Sequence, residues 1–201
     1  MKQLLKLIAA IMENLPEMSP ETIQRWIEAP EVIRDGLAKM FSQTPLKVWK
    51  TIKLVAYQSA DQCRQALEKA GCRISDWAKD LLGKIDFTKS VEEEVKFGKL
   101  TVGQLGLTRG GTLRQILARI VELGLAKCEP YDGPNVRVQS LDQPMGEGIF
   151  MAMDPITASR GYPHVFVLRR RGDGLWLHAH CYSLDFFFRA DICFLFRLPC
   201  K

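Results

Sequence analysis

The chain has 201 residues, 47% of them apolar and 25% charged, with a net charge of +5. That balance describes a soluble globular protein able to bury a core, and it excludes a disordered or polybasic chain. A length near 200 residues admits one large domain or two small ones, and no stretch approaches the roughly 18 apolar residues that a membrane span needs.

The first residues, Met1 to Met12, share the apolar look of a signal peptide, but Lys6 interrupts the run and Glu13 follows at once. No small-residue cleavage site appears, so no leader is expected. Leu4, Leu5, Ile8, Ile11, Met12 and Leu15 instead fall at helical spacing. Ser19-Pro20-Glu21 predicts a second helix, with a side-chain cap, proline at the first position and an acid in the first turn. Ile23, Trp26 and Ile27 are its expected inward face, and it stops before Pro30. A third helix is predicted from Pro30-Glu31, with Val32, Ile33, Leu37, Met40 and Phe41 on one side. These helices suit either a small bundle or a surface for homo-oligomer formation.

Val48 to Leu54 alternates and is rich in β-formers, which predicts a strand. Ser59 and Gln62 form a predicted capping box for a helix ending at Gly71, and Ser75 opens a shorter helix closed by Gly83. Residues 84–95, with Glu92-Glu93-Glu94, read as a solvated connection. The expected division is therefore a mainly helical region over 1–90 and a second domain over 91–201.

In that second part Val95 to Val102 predicts a strand, and Thr112 caps a helix with Leu113, Ile116, Leu117, Ile120 and Val121 inward, ended by Gly124. Short strands are expected at Leu125–Cys128, Val136–Gln139, Gly148–Met153, Val165–Arg169, Leu175–His178 and Ile192–Leu198. Arg171-Gly172-Asp173-Gly174 predicts a tight hairpin turn. Helices followed by a run of short strands predict an α+β class with a mixed, mostly antiparallel sheet.

The least ordinary stretch is the last one. From Leu177 to Cys200 there is no Lys, Glu, Gln, Met or Trp, although these types make up about a quarter of the residues before it. They are the five types that codons ending in a pyrimidine cannot encode, so randomising adenines in AAC-type codons would leave this gap. The same process scatters His, Tyr, Ser, Phe, Asp, Ile and Cys without regard to polarity. Three consecutive phenylalanines, Phe186 to Phe188, break any period of 2 or 3.6. The bland alternative is a buried strand; the other is a recognition surface of aromatic anchors among polar groups.

The run Gly174-Leu175-Trp176-Leu177, the Asp185 and Asp191 landmarks and the close Phe196-Arg197-Leu198 resemble the variable C-terminus of diversity-generating retroelement target proteins. Gly146-Glu147-Gly148, Ala152-Met153-Asp154-Pro155-Ile156 and Val165-Phe166-Val167 resemble a set of bacterial proteins of the same kind. The resemblance implies a compact C-type-lectin-like domain whose segment at about 177–195 a reverse transcriptase rewrites. It further implies non-catalytic binding of a protein or other macromolecule. On it, the ligand contacts are expected at His178, His180, Cys181, Tyr182, Ser183, Phe186, Phe187, Phe188, Arg189, Ile192, Cys193 and Phe194. Trp176, Phe166, Leu177 and Phe196 are expected to hold the frame.

Other chemistry fits less well. Six cysteines, at 63, 72, 128, 181, 193 and 200, show no Cys-x-x-Cys pair or metal-ligand spacing, so reduced thiols, a cytoplasmic location and no metal or other cofactor are expected. On a strand His178 and His180 share a face while Cys181 points away, which argues against a metal or a Cys–His nucleophile pair. Cys193 and Cys200 match no enzyme motif, and Gly103, Gly106, Gly110 and Gly111 lack the Gly-Lys-Ser/Thr of a phosphate loop. Residues 101–124 offer a helix-turn-helix alternative, a DNA-binding regulator with Arg114 and Arg119 toward phosphate. No basic stripe accompanies them, so nucleic acid is disfavoured. Leu168-Arg169-Arg170-Arg171 reads as charge protecting a sheet edge.

Overall fold

The computed structural model describes residues 13, 17–32 and 47–199. The helix expected over Leu4–Leu15, the body of the one from Pro30 and Cys200 lie outside them. The chain divides into two units, Met1–Pro45 and Leu46–Lys201. In the first, α1 spans Pro20–Glu28, capped as expected by Ser19, whose hydroxyl accepts from the Thr22 N–H. Its expected inward residues do not lie inward: Ile23 and Ile27 are exposed and Trp26 is half-buried.

The second unit begins with β1 (Val48–Lys53), α2 (Ala60–Lys69), β2 (Cys72–Ile74) and α3 (Asp76–Leu82). Ser59 caps α2, but the Gln62 side chain accepts from the Gln58 N–H, one residue earlier than a capping box requires. After β3 (Glu94–Thr101) come β4 (Gly111–Thr112) and α4 (Leu113–Glu122), where Thr112 and Gln115 form a true capping box. Leu113, Ile116, Leu117 and Ile120 are buried, whereas Val121 is exposed, against expectation.

Next, α5 (Asp132–Gln139) replaces the strand expected at Val136–Gln139. Every residue from Asp132 to Arg137 is buried, so the helix shows no polar face and no helical period to read. The remaining strands are β5 (Gly148–Met151), β6 (Ile156–Thr157), β7 (Pro163–Arg171), β8 (Gly174–Cys181), β9 (Phe187–Phe188) and β10 (Cys193–Arg197). The stretch Leu125–Cys128 makes only an isolated bridge, Ala126 with Arg197.

The fold is α+β with a mixed sheet in the order β1-β3-β10-β5-β7-β8-β2, and β6 beside β7. Most neighbours run antiparallel; β10 with β5 and β2 with β8 run parallel. This sheet draws β1 and β2 from residues before 90, so the division expected there falls inside one compact unit. The connection at 84–95 reads as a linker because it is polar, and only strand pairing reveals that the sheet continues across it.

Alternation sorts the two faces of the sheet. On β8, Leu175, Leu177 and Ala179 are buried on the side where α3 and α5 pack against the strand. Phe166, opposite Ala179 on β7, faces α5, since a Cβ on Gly133 would stand 3.0 Å from its ring. Trp176, His178 and His180 alternate with them onto the other face and stay half-buried. Phe196 is buried over Gly98, whose lack of a side chain leaves room for the ring.

The residues from Arg169 to Arg171 do not guard an edge, because β7 lies between β5 and β8. Their turn is as expected: it reverses the chain from β7 into β8, and Gly174 takes φ +137°.

Candidate functional site

The hairpin register places Trp176 opposite Arg169, His178 opposite Val167 and His180 opposite Val165. Directly paired residues share a face, so these side chains form one strip. The rings on it follow one another: Trp176 and His178 stack at 5.0 Å between centroids, His178 and His180 stand 5.6 Å apart, and His180 and Tyr182 5.9 Å. Tyr182 then meets Phe186 at 4.3 Å and Phe188 at 5.0 Å. The run ends in the core, where Phe188 packs on Phe150 and Phe194.

Beyond β8 the chain crosses to β10 through residues 182–192, and its backbone is held at many points. The Leu113 and Arg114 N–H groups donate to the Phe186 and Leu184 carbonyls. The Val102 and Gly103 N–H groups donate to the Ile192 and Ala190 carbonyls, and the Tyr182 N–H donates to Pro163. The β9 residues pair with Gly111 and Thr112. Gly110, at φ +92°, makes this approach possible: a Cβ there would collide with the Phe188 carbonyl and the Phe187 ring. The side-chain ties are exposed ion pairs, Arg114 with Asp185 at 3.2 Å and Arg189 with Asp191.

The expected contact residues therefore separate into groups. Cys181, Ser183, Phe186, Phe187 and Arg189 are exposed; His178, His180, Tyr182, Ile192 and Cys193 are half-buried. Phe188 and Phe194 are core residues, 3% and 0% exposed, and do not belong on a contact surface. Pairing explains both: Phe188 turns inward opposite Gly111, and Phe194 lies on β10 between β3 and β5. Of the expected frame residues, Phe166, Leu177 and Phe196 are fully buried. Trp176 is not; it belongs to the open strip, where its indole N–H donates to Asp173 at 2.9 Å and Arg73 stands 5.4 Å from its ring. Sequence reasoning missed Arg169 and Arg171 as neighbours of the histidines, although counting back from the turn would have found them.

Burial, then the charges of Arg171, His180 and Arg169, push the His178 pKa down from 6.5 to about 4. Burial and the same two arginines lower that of His180. Because the unfolded chain takes up this proton more readily, stability is complete above pH 6.5 and falls as pH drops toward about 4. Urea midpoints across that range are expected to decline less steeply in His178→Gln than in the parent; equal slopes would refute the linkage.

Burial likewise raises the Cys193 thiol, away from the thiolate a nucleophile needs. Cys181, at the end of β8, is paired with His164 on β7, off the face that carries His180. Among the described residues no group of three His, Cys, Asp or Glu side chains could hold a metal ion, and no helix is long and apolar enough to cross a membrane. Residues 102–106 are turns, so the segment 101–124 contains one helix and not a helix-turn-helix. Arg119 donates to the Leu105 carbonyl and pairs with Glu122, while Arg114 pairs with Asp185, which leaves neither as a free phosphate contact. Comparison of the chain with protein-family models, with curated proteins and with solved structures finds no match.

Proposed function

We propose that this chain is a recognition module, a retroelement target whose segment at about 177–195 is rewritten and displayed on a C-type-lectin-like frame to bind a protein or other macromolecule without catalysis. One observation carries the reading: residues 182–192 are fastened through backbone groups, while their exposed side chains make few contacts that the fold needs. Backbone hydrogen bonds form whatever the side chain is, so such a segment tolerates substitution while keeping its path. The exposed pair Phe186 and Phe187, 43% and 55% accessible, supplies the aromatic anchors.

The reading also narrows the rewritten set. Variation is expected at Cys181, Ser183, Phe186, Phe187 and Arg189 and not at Phe188 or Phe194, whose rings fill the core. The test is genomic. A near-copy of the DNA for residues 174–198 is expected beside a reverse-transcriptase gene, differing at adenines, with none in the codons for 188 and 194. Sister copies with identical tails would overturn it.

A further inference from the structure

The open face of the β7–β8 hairpin carries more positive charge than the fold offsets, since Asp173 in the turn is already engaged by Arg73 and Trp176. The guanidiniums of Arg169 and Arg171 pair with no carboxylate among the described residues, unlike those of Arg64, Arg73, Arg114, Arg119, Arg189 and Arg197. Register puts Arg169 opposite Trp176 and Arg171 opposite Gly174, on the face of His178 and His180. Across β7 from β8, Arg169 is paired with Gly148, where a Cβ would stand 3.9 Å from the Arg169 Cγ, Cζ and Nε. The Arg169 side chain thus runs over Gly148 and is half-buried.

Three nitrogens on this face, Arg169 Nε, His178 Nε2 and His180 Nε2, lack any hydrogen-bond partner and are closed off by their neighbours, so an acceptor reaches them when these half-buried side chains turn outward. Enclosed polar groups of a folded protein are nearly always paired, with protein, water or a ligand. Here all three can be donors, two from neutral imidazoles and one from a cation. Donors without acceptors beside two guanidiniums that make no ion pair suit an anion with several acceptor oxygens. A single carboxylate would offset one charge, whereas a phosphate monoester dianion offsets both.

We infer that Arg169, Arg171, His178 and His180 form a binding site for a phosphate-class oxyanion on the open face of the β7–β8 hairpin. The site deepens the proposed recognition role, since His178 and His180 belong to both, but its two arginines lie outside the rewritten segment. The two arginines would supply a constant charge beside the variable histidines and aromatic loop.

The experiment uses the full chain in low-salt buffer, with inorganic phosphate as the group alone, AMP as a small phosphoester and a phosphoserine peptide as a phosphorylated chain. Calorimetry and the imidazole proton signals of His178 and His180 are followed together. The groups facing these imidazoles are Arg169 and Arg171 on β7, Asp173 in the turn and Arg73 on β2, with His164 nearby on the opposite face of β7. A bound dianion adds negative charge among them, so the His178 titration midpoint should move up from about 4. Arg171→Gln and Arg169→Gln should each weaken binding by about tenfold or more. Arg170→Gln should leave it unchanged, because that side chain alternates to the opposite face. Arg171 is exposed, so its variant folds regardless and keeps the test decisive.

Preference for AMP or for the peptide over phosphate would identify the source. No saturable binding of any of the three up to about 1 mM, or equal weakening by Arg170→Gln, would overturn the site. Phe186→Ser/Phe187→Ser should leave phosphate binding intact, so a failure of the loop reading and a failure of this site are separable.

Discussion

Phe188→Ala and Phe194→Ala are each expected to lower stability by about 3–5 kcal/mol, the cost of emptying a large buried aromatic site. Phe187→Ala, one residue away from the first, is expected to change it by no more than about 0.5 kcal/mol. The contrast rests on the direction of neighbouring side chains on β9: Phe188 is 3% exposed and packs on Phe150 at 5.2 Å and Phe194 at 5.1 Å, while Phe187 is 55% exposed. Urea unfolding of the three variants decides it. If Phe188→Ala and Phe187→Ala proved equally mild, the strip would not be anchored in the core, and the division between frame and display residues would fail. That division matters for function, because a diversified surface is useful only if its variation leaves the fold standing.

Asp132→Ala is expected to cost a similar amount, about 3–5 kcal/mol, because it leaves a mostly buried cation with only the exposed Glu93 as partner. Asp132 is fully buried at the start of α5 and accepts two hydrogen bonds from Arg197, both at 2.7 Å, and a third from the Glu129 N–H at 2.8 Å. Burial raises its carboxyl pKa, and the carboxylate in turn raises that of Arg197, whose side chain is only 16% exposed. Glu93, at 3.0 Å, would be the remaining acid beside the guanidinium. The pair fastens α5 to β10, the strand in which the proposed variable segment ends. Thermal or urea denaturation checks the value. Replacing both partners, Asp132→Leu with Arg197→Met, is expected to restore much of the loss, since no unpaired charge is then left inside. A single-variant loss under about 1 kcal/mol would show that the pair is not what holds this end of the sheet.

Much of the local structure was legible in advance. Caps at Ser19, Ser59, Ser75 and Thr112, and the hairpin turn before Gly174, are short-range patterns that do not depend on what packs above them. The strand from Val95 was likewise evident from its composition. The errors share one cause. The α5 helix is buried on all sides and holds Asp132, Asn135 and Arg137 inside, so neither period nor polarity marked it. Short strands β2, β6 and β9 are defined by their partners and have too few residues to show alternation. Residue type predicts a core position for Trp176, yet alternation from buried Leu175 and Leu177 turns it to the open face.

By itself, the order of residues determined the helix ends, the hairpin, the α+β class and the odd composition of the tail, because each depends on neighbours along the chain. Only the tertiary structure decided that β1 and β2 join the C-terminal strands in one sheet and that Phe188 and Phe194 turn inward while Phe186 and Phe187 face out. Those outcomes come from pairing between segments far apart in sequence, and along a strand a shift of one residue turns each side chain to the other face.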